Sequence, residues 1–300
     1  MEKKYTSCNF LYPDVINASV PYNSLFVRIK KRIVSYGKSA CSRYKNNFYP
    51  KKRSKEVESL NLQPGEWVEV RSMDEISQTL DEKRKYKGLF FMWEMEKCCG
   101  KKFKVFKKVE IIKLEPTGDI RKLKSPTVFL EGAYCNGELQ EGCDRSCFHF
   151  WKEAWLKRLP DKQQEIPVPI HHSISNPEKS ARGATSEIIS PLPENDNLNL
   201  QPGDWVQVKS VDEIFPTLDD EGKYKGLYFM PEMEKFCGKK FKVFKRADIV
   251  KLESTMEVRK LTSPTIFLEN VYCNGELHDG CDRSCFHFWR EVWLNRIPDK

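Results

Sequence analysis

The chain has 300 residues, a formal net charge of +8 and 39% hydrophobic residues. This composition is sufficient for packed cores and excludes a wholly disordered chain. No apolar run reaches the roughly 18 residues that a membrane span requires, and the N-terminal sequence contains no apolar signal core. We therefore expect a cytoplasmic protein, with peripheral contact to a membrane left open.

The positive charge is concentrated in an N-terminal arm, residues 1–59, which holds 13 Lys and Arg against 4 Asp and Glu. Within it, YNSLFVRIKKRIVSYGK has apolar residues near helical spacing and predicts a basic amphipathic helix. Its clustered basic residues are Arg28, Lys30, Lys31 and Arg32. They predict binding to an anionic membrane surface or another anionic partner. The alternative is a terminal helix that packs on the domain that follows.

An internal duplication follows the arm. Residues 61–160 align with residues 199–298 without a gap and are identical at 70 of the 100 positions. A period this long indicates a duplicated domain rather than a solenoid repeat. We divide the chain into the arm (1–59), module 1 (60–160), a flexible linker rich in Pro, Ser and Asn (161–197) and module 2 (198–300).

Both modules begin with the same predicted elements. A Pro-Gly pair predicts a type II turn, and WVEV or WVQV predicts a short strand after it. Ser72 and Glu75 have the spacing of a capping box, which predicts a short helix. Pro216 should limit the equivalent helix of module 2 to little more than a turn.

The second half of each module predicts two more strands and a helix. KKFKVFKK alternates in polarity as a strand does, and SPTVFLEGAYC predicts a strand that ends at an Asn-Gly turn. CDRSCFHFWKEAWLKRL predicts a C-terminal helix with Asp144 as its N-cap and with Phe148, Trp151 and Trp155 on one stripe. The predicted fold class is α+β, mainly β: two tandem small SH3-like β-barrel modules, each with a short helix and a C-terminal helix.

Four cysteines recur in register in each module. The predicted metal ligands are Cys99, Cys135, Cys143 and Cys147 in module 1, and Cys237, Cys273, Cys281 and Cys285 in module 2. In a reducing compartment, this pattern indicates a metal site more than disulfides. Cys143 and Cys147 lie four residues apart at the start of the predicted helix, so their side chains should converge there and be held as thiolates.

The identity of the metal is open at this level. Zinc, with two ions per chain, is the default for a structural site. The irregular spacing and nearby aromatic residues leave an iron–sulfur cluster as an alternative, and disulfides or buried free thiols as others. His149 and His287 would point away from the cysteines on a helix, which favours a packing role. His278 is replaced by Gln140 in module 1, which argues against an essential role.

Catalytic signatures are missing from the sequence. It contains no P-loop, no G-x-G-x-x-G, no G-x-S-x-G and no H-E-x-x-H, so an enzyme is not supported. Glu153 and Glu291 are interpreted as ordinary helix charges. KKFKVFKK is similar to a basic strand that follows a phosphate backbone, but the modules are close to electroneutral, so nucleic-acid binding is the less favoured hypothesis.

Several motifs resemble a family of uncharacterised bacterial and archaeal proteins. These are the PGEWVEVRS opening, the FMPEM segment before CG, and FWKEAWLKR after the late cysteines. The resemblance covers both modules but not the arm or the linker, and module 1 has Trp93 where module 2 keeps Pro231. Such proteins are loosely associated with surface-glycan gene clusters and have no established activity. The opening strand and the FMPEM–CG segment also resemble the small barrel of nitrile hydratase β-type proteins, which implies a fold but no catalytic residue.

The sequence therefore predicts a tandem, metal-stabilised binding or scaffold protein with a basic arm for an anionic surface or partner. One alternative is an iron–sulfur protein in electron transfer or redox sensing. A second is a nucleic-acid-binding adaptor.

Overall fold

The computed structural model describes residues 19–21, 59–160 and 197–298. The predicted amphipathic helix with Arg28, Lys30, Lys31 and Arg32 lies outside these residues, as does almost all of the linker. The arm contributes one described strand, β1 (Ser19–Pro21). None of the helices in the described ranges is long and apolar enough to cross a membrane.

Module 1 is built around an antiparallel five-stranded sheet. Its strands are β2 (Trp67–Val70), β3 (Lys85–Tyr86), β4 (Leu89–Phe90), β5 (Lys102–Lys108), β6 (Ile111–Lys113), β7 (Ile120–Lys122), β8 (Thr127–Leu130), β9 (Trp151–Lys152) and β10 (Leu156–Arg158). The sheet has the order β10-β2-β5-β8-β9, and β3–β4 and β6–β7 form separate ribbons. The helices are α1 (Met73–Ser77) and the 3-10 helices Trp93–Cys98, Glu138–Gln140 and Glu153–Trp155.

Module 2 repeats this architecture. Its strands are β11 (Trp205–Val208), β12 (Lys223–Tyr224), β13 (Leu227–Tyr228), β14 (Lys240–Arg246), β15 (Ile249–Lys251), β16 (Val258–Leu261), β17 (Thr265–Leu268), β18 (Trp289–Arg290) and β19 (Leu294–Arg296). The five-stranded sheet has the order β18-β17-β14-β11-β19. The helices are α2 (Val211–Ile214) and the 3-10 helices Phe215–Thr217, Pro231–Phe236, Glu276–His278 and Glu291–Trp293. The predicted mainly β class is confirmed, whereas closure into an SH3-like barrel stays a prediction.

The two modules differ at one ribbon edge. In module 2, β16 pairs with β15 on one side and with β1 of the arm on the other. In module 1, the equivalent strand β7 pairs with β6, and no other described strand lies on its outer edge. The arm therefore extends module 2 by one strand.

The predicted capping box is present in both modules. The Glu75 N–H donates to the Ser72 hydroxyl over 3.3 Å, and the Ser72 N–H donates to the Glu75 carboxylate over 3.0 Å. In module 2, α2 ends at Ile214, and Pro216 lies in the single 3-10 turn that follows. The expectation of a shortened helix there is confirmed.

The predicted C-terminal helix is wrong. Ser146 has a φ of 49°, a left-handed conformation that interrupts a right-handed helix right after its predicted start. Phe148 pairs with Tyr134 in a β-bridge, Trp151 lies in β9, and Trp155 ends a one-turn 3-10 helix. The segment thus forms strand β9, one 3-10 turn and strand β10 in place of a helix. These elements bury the aromatic side chains that were predicted to share one helical stripe, and aromatic residues are common in strands.

Glu153 and Glu291 are also not surface helix charges. The Glu153 side chain is 3% exposed, and its carboxylate accepts hydrogen bonds from the backbone N–H groups of Asn61 and Leu62, each 2.9 Å long. The fully buried Glu291 carboxylate accepts from the Leu200 N–H over 3.2 Å and from Arg246 over 2.7 Å. Each carboxylate thus fastens the first residues of its module to the last strands.

The modules dock on each other through reciprocal contacts. The Asp282 carboxylate accepts hydrogen bonds from the backbone N–H groups of Glu110 and Ile111, both 3.0 Å long, and it pairs with Lys107 at 2.8 Å. Cys281 Sγ accepts from the Lys113 N–H over 3.3 Å. The counterparts are Asp144 with Asp248, Ile249 and Lys245, and Cys143 with Lys251. Asp144 therefore caps a ribbon of module 2, not a helix of its own module.

Aromatic side chains fill the centre of this docking surface. The register of β5 against β8 shifts between Val105 and Lys107, so Phe106 occupies a β-bulge. The bulge turns the Phe106 ring onto Phe148, with centroids 5.0 Å apart, and onto Tyr272 of module 2, with centroids 5.3 Å apart. The bulge thus directs an aromatic side chain into the contact between modules.

The Asp282→Ala substitution should lower the free energy of unfolding by about 1–3 kcal/mol, because it leaves two N–H groups of module 1 without an acceptor. Urea unfolding of the full chain measures this loss, and Asp144→Ala should cause a similar one.

Bonds from Lys107 and from the two N–H groups outweigh the effect of burial and lower the pKa of Asp282 below 3.8. The contribution of its charge to stability should therefore be present above pH 3.8 and be lost as the pH falls below it. An unfolding curve unchanged by either substitution would contradict reciprocal docking.

Candidate metal centre

A loop closed by two cysteines carries the candidate site in each module. The Cys273 N–H donates to the Cys285 carbonyl over 2.8 Å, and the Gly280 N–H donates to the Gly275 carbonyl over 3.0 Å. Gly275 has a φ of 82°, and a Cβ on it would lie 2.1 Å from the Cys281 carbonyl oxygen. Only glycine fits there. The predicted return of the chain after Asn-Gly is confirmed.

Three possible ligands from two elements meet beside this loop in module 2. Glu232 comes from the 3-10 helix Pro231–Phe236, whereas Cys273 and His278 come from the loop. All three are buried, and one ligand atom from each lies within 4.8 Å of the other two. Among the described residues this is the one group of three or more His, Cys, Asp or Glu ligand atoms at such separations.

A second histidine lies close to this group. His287 is 1% exposed, and its Nε2 lies 3.7 Å from Glu232 Oε1. His278 Nε2 lies 3.3 Å from the same oxygen. The group therefore offers a carboxylate, a thiol and two imidazoles, which is a donor set that zinc accepts.

The polar atoms here are incompletely paired within the part of the chain that the structure describes. Four buried atoms of these side chains have no hydrogen-bond partner there: Glu232 Oε2, His278 Nδ1, and both ring nitrogens of His287. Buried polar atoms without partners are costly and uncommon in folded proteins. A cavity of about 20 Å³ is lined by Cys273, His278 and His287, but not by Glu232, and its lining also includes Arg145 and Arg283. The unpaired donor atoms and the cavity fit a bound cation.

The side chains differ in protonation. Burial is the largest influence on Glu232 and would raise its pKa, but the hydrogen bonds from His278 and Cys273 and the charge interactions with His278 and His287 together hold the pKa below its usual value. Burial raises the pKa of the Cys273 thiol and lowers that of His287 to about 4. At neutral pH the site thus holds a carboxylate, a neutral imidazole at His287 and a protonated thiol. A metal ion would displace the thiol proton.

Module 1 keeps most of this group but not all of it. Glu94, Cys135 and His149 occupy the equivalent positions, with the Cys135 thiol donating to Glu94 over 3.7 Å and His149 Nε2 lying 3.7 Å from Glu94. Gln140 stands in the place of His278. Burial raises the pKa of Glu94, opposite to the shift at Glu232. In the module that lacks the second histidine, the pKa of the buried carboxylate is thus shifted in the opposite direction.

The predicted cysteine quartets are only partly brought together. Cys273, Cys281 and Cys285 line the cavity of module 2. Cys99 and Cys237 pack against the hydrophobic cores of their own modules. No three cysteine sulfurs among the described residues lie within 4.8 Å of one another. A four-cysteine site in either module stays a prediction.

The basis for the thiolates predicted at Cys143 and Cys147 is wrong, because the helix that should have stabilised them does not form. Burial raises the pKa of Cys147 and raises that of Cys285 to about 12. The guanidinium groups of Arg145 and Arg283 oppose this shift without reversing it. Both sulfurs are therefore protonated thiols in the folded protein.

Two residues of the group were missed in the sequence. Glu232 lies in the FMPEM segment, which attracted attention as a motif and not as a source of ligands. His278 was set aside because module 1 has Gln140, on the premise that both modules bind the same ligand. The signal that could have found it was the histidine itself, five residues after Cys273 in the cysteine-rich loop.

Comparisons with known proteins give no family assignment: no family model matches the chain, and no curated protein or solved structure matches it either.

Proposed function

We propose that this chain is a two-module binding scaffold that holds one divalent transition-metal ion, zinc by preference, at Glu232, Cys273 and His278 of module 2. The observation that carries this proposal is the buried group of three ligand atoms within 4.8 Å of one another. His287 lies outside this group of three, although its Nε2 is 3.7 Å from Glu232 Oε1. The mixture of oxygen, sulfur and nitrogen donors favours zinc over an iron–sulfur cluster, which requires mostly thiolates.

The ion would have a structural role. It would link the 3-10 helix Pro231–Phe236 to the loop that begins at Cys273. The same loop carries Asp282 and Cys281, which contact module 1. The module 1 residues Glu115 and Arg145 also line the cavity beside the site. Metal binding would therefore stabilise both module 2 and its contact with module 1. The arm, with its predicted basic helix, would attach this scaffold to an anionic surface or partner.

Zinc titration of the full chain tests this proposal. Cys273→Ser should lower the zinc affinity by on the order of 100-fold, because a thiolate ligand is lost. The matched variant Cys135→Ser removes the equivalent thiol of module 1 and should leave the affinity and the stoichiometry of one ion per chain unchanged. Isothermal titration calorimetry measures both quantities. Equal losses from the two variants, or unchanged binding by Cys273→Ser, would contradict the proposed site.

A further inference from the structure

We propose that the docking surface of each module fits a second copy of the same module as well as it fits its neighbour in the chain, so that two chains can exchange modules. The partner is a second copy of this protein. This inference rests on the contacts between the modules and is independent of any bound metal.

At the centre of the interface, the contacts are symmetric between the two modules. The hydroxyl oxygens of Tyr134 and Tyr272 lie 2.8 Å apart, and these are equivalent residues of the two modules. Tyr134 packs against Phe286 with ring centroids 5.7 Å apart, and Tyr272 packs against Phe148 with centroids 5.4 Å apart. A residue that meets its own equivalent marks a pseudo-two-fold axis, as in an isologous dimer.

The outer contacts obey the same symmetry. Lys113 pairs with Asp279, and in the other direction Lys251 pairs with Glu141 at 3.5 Å. The two aspartate caps, Asp144 and Asp282, bind the backbone of the opposite ribbon in the same way. Every one of these interactions is thus formed twice with the roles of the modules exchanged.

The residues that form these contacts barely differ between the modules. The aromatic residues, the lysines, the capping aspartates and the cysteines are identical, and Glu110/Asp248 and Glu141/Asp279 differ with the charge kept. One neutral contact residue also differs: Gln140, which accepts a hydrogen bond from Lys251 over 3.3 Å, corresponds to His278. Specific pairing requires contacts that penalise the wrong partner. These positions contain none, so a module 2 surface is complementary to another module 2.

The linker supplies most of the preference for the neighbour. A covalent tether gives the second module an effective concentration on the order of millimolar, which favours closure within one chain at lower protein concentrations. The hydrogen bond from Lys251 to Gln140, 3.3 Å long, has a histidine, His278, at the equivalent place on the other side. The pairing of β1 with β16 has no counterpart among the described strands of module 1. It adds a preference for the native pair that is limited to three paired residues.

The test uses the full chain with a protease site inserted in the linker (residues 161–197). After cleavage of the folded protein, native mass spectrometry identifies the complexes during incubation at micromolar concentration. We expect the two fragments to stay paired at first and then to re-sort into all three combinations. The native pair should exceed the half share of random pairing because of β1. Separation into single modules, or persistence of the native pair alone, would overturn the proposal.

A charge exchange across one contact provides the control. In a Lys113→Glu, Asp279→Lys double variant, the native pair keeps opposite charges at this contact. In a pair of two first modules the new carboxylate would face Glu141, and in a pair of two second modules the new ammonium group would face Lys251. Like charges at an interface disfavour association. The variant should therefore form same-module pairs about tenfold less than the parent chain, and an unchanged yield would overturn the proposed geometry.

Discussion

Replacing His278 with glutamine should lower the zinc affinity of the chain by on the order of 100-fold. Four-ligand structural zinc sites bind with about 10–16 kcal/mol, so one ligand contributes about 3 kcal/mol. Glutamine is the residue that module 1 carries at the equivalent position, where it is compatible with the same loop. The substitution should therefore remove a ligand and leave the loop folded, as a circular dichroism spectrum would verify.

The reverse exchange, Gln140→His, should create a second site in module 1. Glu94, Cys135 and His149 already occupy the other equivalent positions. Zinc titration of this variant should give two ions per chain, whereas titration of the parent chain should give one. The double variant Gln140→His, His278→Gln should again bind one ion per chain. Adding Cys135→Ser to this double variant should abolish zinc binding, whereas adding Cys273→Ser should leave it unchanged. If Gln140→His left the stoichiometry at one, the proposed ligand set would be wrong.

The second large effect is expected at the buried carboxylate Glu291. Glu291→Ala should reduce the free energy of unfolding by about 2–4 kcal/mol, because Arg246, whose side chain is 25% exposed, loses its counterion. The Leu200 N–H also loses its acceptor. Urea unfolding measures this change, and Glu153→Ala should produce a loss of similar direction in module 1.

Two variants separate this anchor from a general effect of charge removal. Glu291→Gln keeps an oxygen acceptor for Leu200 and should cost less than Glu291→Ala. Glu82→Ala removes an exposed carboxylate and should change stability by no more than about 0.5 kcal/mol. Equal stabilities of Glu291→Ala and Glu82→Ala would show that the buried carboxylate does not fasten the module.

Local sequence patterns were sufficient for β2, β5, β8 and the first helix, but the ribbons β3–β4 and β6–β7 were not predicted. The capping pair Ser72 and Glu75, the proline at position 216 and the Asn-Gly turn each act within a few residues, so their effects are readable from neighbouring positions. The C-terminal helix failed for the opposite reason. Phe148 and Trp151 have helical spacing. In the structure, however, Phe148 pairs with Tyr134 and Trp151 pairs with strand β8, and both partners lie well before them in the sequence.

The candidate site could be predicted only in part. Cys273 was identified because it recurs in register as Cys135, a property visible in the sequence. Glu232 approaches it from a segment about 40 residues earlier, and only the fold brings the two together. The docking of the modules could not be predicted either. Asp144 and Asp282 have the local sequence of a helix N-cap, but their carboxylates accept hydrogen bonds from backbone N–H groups of the other module.

Zinc K-edge X-ray absorption of the zinc-loaded full chain measures the ligands directly. With one ion per chain bound at Glu232, Cys273 and His278, the spectrum should fit one sulfur at about 2.3 Å, with nitrogen and oxygen ligands at about 2.0–2.2 Å. A first shell of four sulfurs, with two ions per chain, would instead support the cysteine quartets and contradict the mixed site in module 2.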